Sequence, residues 1–395
     1  MTIPLPWREM APAVLIAWVA SGCAEPQRAA IDVQESVVGD TTIVDTVSGQ
    51  GWNGAAVLRE ELTIGALDGP PEVTFGEITR MAEDGAGGVY VFDGQAVQIR
   101  HYDARGDHLR DVGRSGEGPG EYQNLTLGMA VGPAGVLYLH DWGNNRIARF
   151  DRAGVPLDSW PMGSRYLSTV PGRWVFADGV GRLLVAARVD DAMALVATAD
   201  GEVSDTLFVP RLPGMPAQRG GPYRIDTYWS RTPEGCWVVG VSDAYSFDVR
   251  CPDGVRRVRR TVDPLPVHPE EAAEYRARFE WMEAQPLYQA PQGEWIPAAM
   301  PPFSGIEVGS DGRIWVRRNT EPVRVAAPEL PDGQPVVSWA QPFLYDVFGA
   351  DGVFLGEVRF PDDVQPHLFG SDYVWGVRTG SLGEQYVVRL ALEVE

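Results

Sequence analysis

The chain has 395 residues, 44% of them apolar, with 45 glycines and 32 prolines. That is enough apolar content for a sizeable core, too much for a disordered chain, and too many turn formers for long helices. All 33 basic residues are arginine against 54 acidic ones, a formal charge of −21. Such a surface repels phosphate backbones, and the missing lysine excludes a P-loop lysine, a Schiff base and a Ser–Lys pair.

The N-terminus reads as an export signal. Arg8 precedes an apolar stretch of eleven residues, 10–20, too short to cross a bilayer as a helix. Ala20-Ser21-Gly22-Cys23 then resembles a bacterial lipobox. The resemblance implies that residues 1–22 are removed as a signal peptide and that Cys23 is lipidated as the mature N-terminus. Residues 24–55 are small, polar and acidic, with no aromatic before Trp52. They are expected to form a flexible tether from the lipidated cysteine, leaving 56–395 as the folded domain.

Beyond the tether a pattern repeats. A glycine turn leads into a β-rich run, and a second glycine turn follows. Gly88 pairs in this way with Gly106, Gly135 with Gly154, Gly181 with Gly201, Gly235 with Gly254 and Gly312 with Gly352. A weaker sixth copy starts at Tyr373-Val374-Trp375. The leading glycines step by 47, 46 and 54 residues, the period of four-stranded propeller blades. The fold expected is therefore an all-β propeller of six blades, with seven left open. The longer step before Gly312 reflects an insertion at about 265–303. Within it, Pro269, the acidic pair Glu270 and Glu271, and the stripe Tyr275, Phe279 and Met282 predict a helix over 269–282. That apolar stripe is expected to pack on one mouth of the propeller. Residues 57–64 and the alternating Tyr386, Val388, Leu390, Leu392 and Val394 are expected to pair and close the ring.

In the second copy, Asp141, Asn145-Arg146 and Phe150-Asp151 closely resemble an NHL repeat. The segment from Gly113 through Glu121-Tyr122 is similar to the inter-blade segment of bacterial six-bladed propeller lipoproteins of the NHL/TolB-like group, and Gly312-Arg313-Ile314-Trp315-Val316 fits the same group. The resemblance spans residues 57–395. It implies a fold and a location far more than an activity.

Two places are singled out as ligand-binding candidates. One is the mouth loop with Arg114, Glu121 and Tyr122 and the neighbouring Asp141 and Trp142; the other is the Arg- and Trp-rich run Arg224, Tyr228, Trp229 and Arg231. Inter-blade packing and tight crossovers are the competing roles for both. Glu121 stands where a dinucleotide loop needs its third glycine, and no βαβ unit surrounds it. The five histidines, His101, His108, His140, His268 and His367, show no metal-ligand spacing, and no complete motif of a zinc protease, serine hydrolase or EF-hand occurs. Ser310-Asp311-Gly312-Arg313-Ile314-Trp315 is similar to the Asp-box of sialidase propellers but shifted by one residue, so a turn-and-packing role is expected. The expected innermost strands 78–83, 127–131 and 174–177 supply too few convergent groups for a metal site. Asn124-Leu125-Thr126 matches a glycosylation sequon that a bacterial lipoprotein normally leaves unmodified.

Cys236 and Cys251 flank a hairpin whose turn is Ser242-Asp243-Ala244-Tyr245. The register that faces Ser242 with Tyr245 also faces Cys236 with Cys251, so a cross-strand disulfide is expected in an oxidising compartment. Two buried free thiols are the alternative.

These readings converge on a monomeric cell-envelope lipoprotein, on the periplasmic or outer-membrane face. It would touch the membrane through its lipid alone, and its propeller would bind a protein, peptide or carbohydrate without catalysis. No catalytic residue and no cofactor is assigned, with calcium and zinc left open. The alternative is a metal-dependent propeller enzyme of gluconolactonase-like or lyase type. Mass spectrometry of the mature protein is expected to show residues 1–22 absent and a diacylglyceryl group on Cys23; an unmodified start at any other residue would overturn the lipobox reading.

Overall fold

A computed structural model describes residues 31–123, 128–162, 175–190, 192–213, 221–285, 296–327, 330 and 333–395. The segment 1–22 expected to be a signal peptide, Cys23 and the sequon at Asn124 lie outside these residues.

Six sheets, each with four antiparallel strands at its heart, form a six-bladed β-propeller. Blade one runs from the innermost strand Ile78–Glu83 through Val89–Asp93 and Gln98–Tyr102 to His108–Val112. Blades two to six begin at Met129–Val131, Val175–Ala177, Thr227–Arg231, Phe303–Val308 and Val364–Phe369. The core is a ring of clusters between blades. Tyr90, Phe92, Tyr122 and Phe150 fill the gap between blades one and two, and Phe247, Phe303, Phe348 and Phe354 the gap between blades four and five. Strand alternation sends successive side chains to opposite neighbours, which is why the strands read as almost continuously apolar.

The repeated turns have a common cause. In blade two, Asp151 accepts bonds from the backbone amides of Ala153 at 2.9 Å and Val155 at 2.8 Å, and Gly154 takes a φ of 79°. An aspartate tying down the turn and a glycine reaching left-handed space together set the spacing seen in the sequence. In blade one the left-handed residues of this turn are Gly85 and Gly87 rather than Gly88. Gly88 instead packs so close to the Tyr102 carbonyl that an added Cβ would lie 2.4 Å from it.

The ring closes as expected. Ala56–Ile64 pairs antiparallel with the C-terminal strand Gln385–Val394 and becomes the outermost strand of blade six.

The tether expectation is corrected for residues 32–48. Asp32–Val38 and Thr41–Ser48 form a hairpin, and its second strand runs parallel to Gly254–Arg260, extending blade four to six strands. Val44 is fully buried there, and Arg259 pairs with Asp45. The β-branched run Thr41-Thr42-Ile43-Val44 suits a strand that borrows its partner from a finished blade, so a segment too poor to fold alone still orders. Gly51 and Trp52 then donate backbone bonds to Phe354 and Leu355 of blade five at 2.9 and 2.8 Å. Residues 32–64 thus cross the outside of blades four, five and six.

The helix is present as Pro269–Glu283, but its buried residues are Glu271 and Ala272, and the Tyr275–Phe279–Met282 stripe is only half-buried. Polar contacts hold it instead. Glu274 accepts bonds from Arg324 and from the backbone and hydroxyl of Ser338, and Glu270 pairs with Arg324. These partners belong to a small hairpin, Val323–Arg324 with Trp339–Ala340, inserted between the second and third strands of blade five. That insertion explains the doubled gap between Gly312 and Gly352.

Cys236 and Cys251 form a disulfide with Cα atoms 4.5 Å apart, the separation of a non-hydrogen-bonded cross-strand pair. The pairings Trp237↔Arg250 and Val238↔Val249 are the expected register. Reduction is expected to lower stability by at most about 3 kcal/mol, given the short loop closed. Non-reducing peptide mapping should recover the two cysteines in one linked pair of peptides; labelling of both thiols in unreduced, denatured protein would contradict it.

Candidate functional site

Because strand direction alternates within a blade, the loops entering each innermost strand lie at the same mouth as those joining second and third strands. Two insertions therefore meet at one mouth. They are the helical segment before blade five and the Val323–Ala340 hairpin within it. With the segment Pro222-Tyr223-Arg224 ahead of blade four they enclose a cleft of about 310 Å³, within the size range of small-ligand sites.

One wall is the helix, through Glu271 and Tyr275, and another is the hairpin, through Trp339 and Gln341. The floor comes from Tyr228, Phe303, Ser304 and Arg317 on the strands of blades four and five. Tyr223 packs on the helix wall: its hydroxyl donates to Glu271 Oε1, and its ring meets that of Tyr275 edge-on at 6.2 Å. Tyr223 has a φ of 55°, a left-handed conformation that is a genuine outlier for a bulky side chain and one that clusters at functional sites.

Glu271 is only 1% exposed, and its Oε2 has no hydrogen-bond partner. Burial pushes its carboxyl above the ordinary value, against the lowering effects of the Tyr223 hydroxyl and of His268, while Glu274 adds to the rise. Trp339 Nε1 is also buried without a partner. A buried, perturbed carboxyl lining a cleft marks a candidate site on physical grounds.

Of the nine candidate residues, the structure brings Arg224 and Tyr228 to this cleft. Trp229 and Arg231 alternate away from Tyr228. Their contacts are with Trp237, its ring 5.7 Å from that of Trp229 and 5.1 Å from the Arg231 guanidinium. The mouth-loop group holds the first two blades together. Glu121 accepts from the Gly118 amide and from Arg114, both at 2.8 Å. Buried Tyr122 donates to the Val112 carbonyl and accepts from the Ile99 amide. Asp141 accepts from the Gln123 amide, Asn144 and Arg146. Trp142 is 42% exposed, with its ring 6.1 Å from that of His140.

Burial pushes His140 and His367 down to about 4, so both are neutral near pH 7. Among the described residues no three His, Cys, Asp or Glu side chains are grouped to hold a metal. Asp311 caps its turn by accepting from the Arg313 amide, and Trp315 is fully buried, as a turn-and-packing role requires.

Glu271, Tyr223, Tyr275, Trp339 and Arg317 were not among the sequence-derived candidates. The Glu270-Glu271 pair was visible only as a helix start, and nothing local places the hairpin opposite it.

No protein-family model and no curated protein matches the chain. Among solved structures, a member of the DUF4221 family from Bacteroides vulgatus is similar at 12% identity and a TM-score of 0.51, covering 87% of this chain and 99% of that one. An exported protein from Bacteroides fragilis is similar at 9% identity and a TM-score of 0.49, covering 86% and 95%. A gluconolactonase from Xanthomonas campestris is similar at 12% identity and 0.39, covering 86% and 100%. The first likeness supports the propeller fold; the others, at lower scores, carry no argument.

Glu271→Gln keeps the acceptor for Tyr223 and removes the buried ionisation. Because the folded state raises this carboxyl, it binds the proton more tightly than the unfolded chain. Wild-type stability from this group is therefore greatest below the ordinary value of 4.5 and falls as pH rises through the raised value. The variant is expected to be the more stable by on the order of 1 kcal/mol above that range, with the advantage vanishing below it. Denaturant titrations at several pH values would show this; a difference independent of pH would contradict it.

Proposed function

We propose that the chain is a cell-envelope lipoprotein, anchored through Cys23, whose propeller of NHL-like blades binds a protein, peptide or carbohydrate at the mouth cleft without transforming it. The observation that carries the binding role is a cleft of ligand size in which two insertions of the ring gather Tyr223, Tyr228, Tyr275, Trp339 and Arg317. Tyr223 holds a left-handed backbone at the same place, a cost of the kind that clusters at binding sites. The NHL-like reading is supported by blade two, where Asp141, Asn144 and Arg146 act together to fasten the inter-blade loop. The lipoprotein reading rests on the N-terminal sequence.

The test is a thermal-shift panel on the mature protein, using neutral and acidic oligosaccharides and short peptides. At least one class is expected to raise the melting temperature, and the Tyr275→Ala, Trp339→Ala double variant should lose that rise. The bound molecule should be recovered unchanged by chromatography. A cleaved or rearranged product would place the protein among enzymes, and no shift from any class would sink the reading.

A further inference from the structure

The polar groups around the cleft are unbalanced. Two of its acceptors are taken, Glu271 Oε1 by Tyr223 and Gln341 Oε1 by the Thr320 amide at 3.2 Å, and Glu271 Oε2 is the buried one without a partner. Asn319 spends its amide on the Pro301 carbonyl at 2.7 Å. Several donors have no acceptor among the described residues, namely the Tyr228 and Tyr275 hydroxyls, Trp339 Nε1 and the Arg317 guanidinium.

Arg317 is the telling one. The arginines nearest it in the sequence and around the cleft have carboxylates: Arg318 has Glu357, Arg324 has Glu270 and Glu274, and Arg224 has Asp226. Arg317 is half-buried with its guanidinium 4.3 Å from the centre of the Phe343 ring, and it has no carboxylate partner among the described residues. Arg317, Arg224 and the Tyr228 hydroxyl line the same cleft, and Asp226, the partner of Arg224, acts on that hydroxyl more strongly than either guanidinium. In a chain of formal charge −21, a guanidinium with no carboxylate among the described residues, beside hydroxyl and indole donors, is a local inversion of charge.

We propose that the cleft binds the free carboxylate of a small molecule or chain end, held by the Arg317 guanidinium and the Tyr228 hydroxyl, with the ligand's uncharged body against Trp339 and Tyr275. A planar guanidinium matches a carboxylate in two parallel bonds and gains from partial burial. A phosphate would bring close to two charges, and Arg224 is already committed to Asp226. This inference rests on the cleft being a binding site and names the chemistry of its ligand.

Calorimetry on the mature protein with matched acid and neutral probes tests it: N-acetylphenylalanine against its amide, and galacturonate against galactose. At least one acid is expected to bind about tenfold or more tightly than its neutral partner, as a charge-assisted bond requires. Which acid binds separates a peptide end from an acidic sugar. Arg317→Gln should bring that acid down to the affinity of its neutral partner. The wild-type comparison stands even if this variant folds poorly. Equal binding of acid and neutral probes would overturn the carboxylate and leave the binding role intact. Failure of both acids while other molecules in the thermal-shift panel bind would do the same, and a silent panel would remove the binding role itself.

Discussion

Everything in this molecule depends on one strand pairing that joins the two ends of the domain. Ala56–Ile64 lies against Gln385–Val394, and without it the first and last blades would each face solvent along a full side. A propeller has no central core to fall back on; its apolar residues are shared between neighbouring blades, so an open ring leaves one inter-blade cluster half-built. The chain strengthens the closure by continuing outward. Residues 32–52 run back over blades five and four, bonding Gly51 and Trp52 to Phe354 and Leu355 and then Thr41–Ser48 to Gly254–Arg260. Trp52 packs where any side chain at Gly356 would sit, with an added Cβ only 2.6 Å from its ring. The belt therefore fastens the two blades between which the cleft is built.

The parts of this arrangement that depend on short-range geometry were legible in the sequence. The turn aspartates and glycines, the blade period and the register that faces Cys236 with Cys251 all follow from residues less than one blade apart. What was not legible depends on partners far away along the chain. Residues 32–48 look like a tether because they have no partner nearby; their partner strand is some two hundred residues distant, and Asp45 meets Arg259 only in the closed ring. The Tyr275 stripe suggested a helix lying on apolar surface. The contacts that fix the helix are instead Glu270 and Glu274 on Arg324 and Ser338, in an insertion whose position the sequence did not reveal. Tyr228 and Trp229 adjoin in sequence, but a strand sends them to different neighbours, one to the cleft and one to the core between blades three and four.

The arginine-only composition acquires a structural meaning in the blades. Buried aspartates recur and are met by guanidinia and backbone amides together. Asp93 receives Arg100 and the amides of Gly76 and Glu77; Asp141 receives Arg146; Asp248 receives Arg250 and Arg257; Asp346 receives Arg260 and the Tyr245 hydroxyl. Burial alone would push Asp93 and Asp248 up, yet these bonds outweigh it and hold both below the usual carboxylate range. A planar fork with several fixed donors can satisfy a buried carboxylate in a way that a single ammonium does not.

Against that rule Glu271 and Arg317 stand out. One is a buried carboxyl that receives a tyrosine hydroxyl and no guanidinium, and the other is a guanidinium with a ring and no carboxylate. They line the same cleft without being paired to each other. A protein that solves this problem at four buried aspartates has the residues to solve it here, and a leucine or glutamine at 271 would avoid the cost of the buried acid. Tyr223 adds a second cost at the same place by adopting a left-handed backbone to reach Glu271. Stability given up twice within one cleft, by a buried acid and by a left-handed tyrosine that meets it, fits a site kept for what it binds rather than for what it holds together.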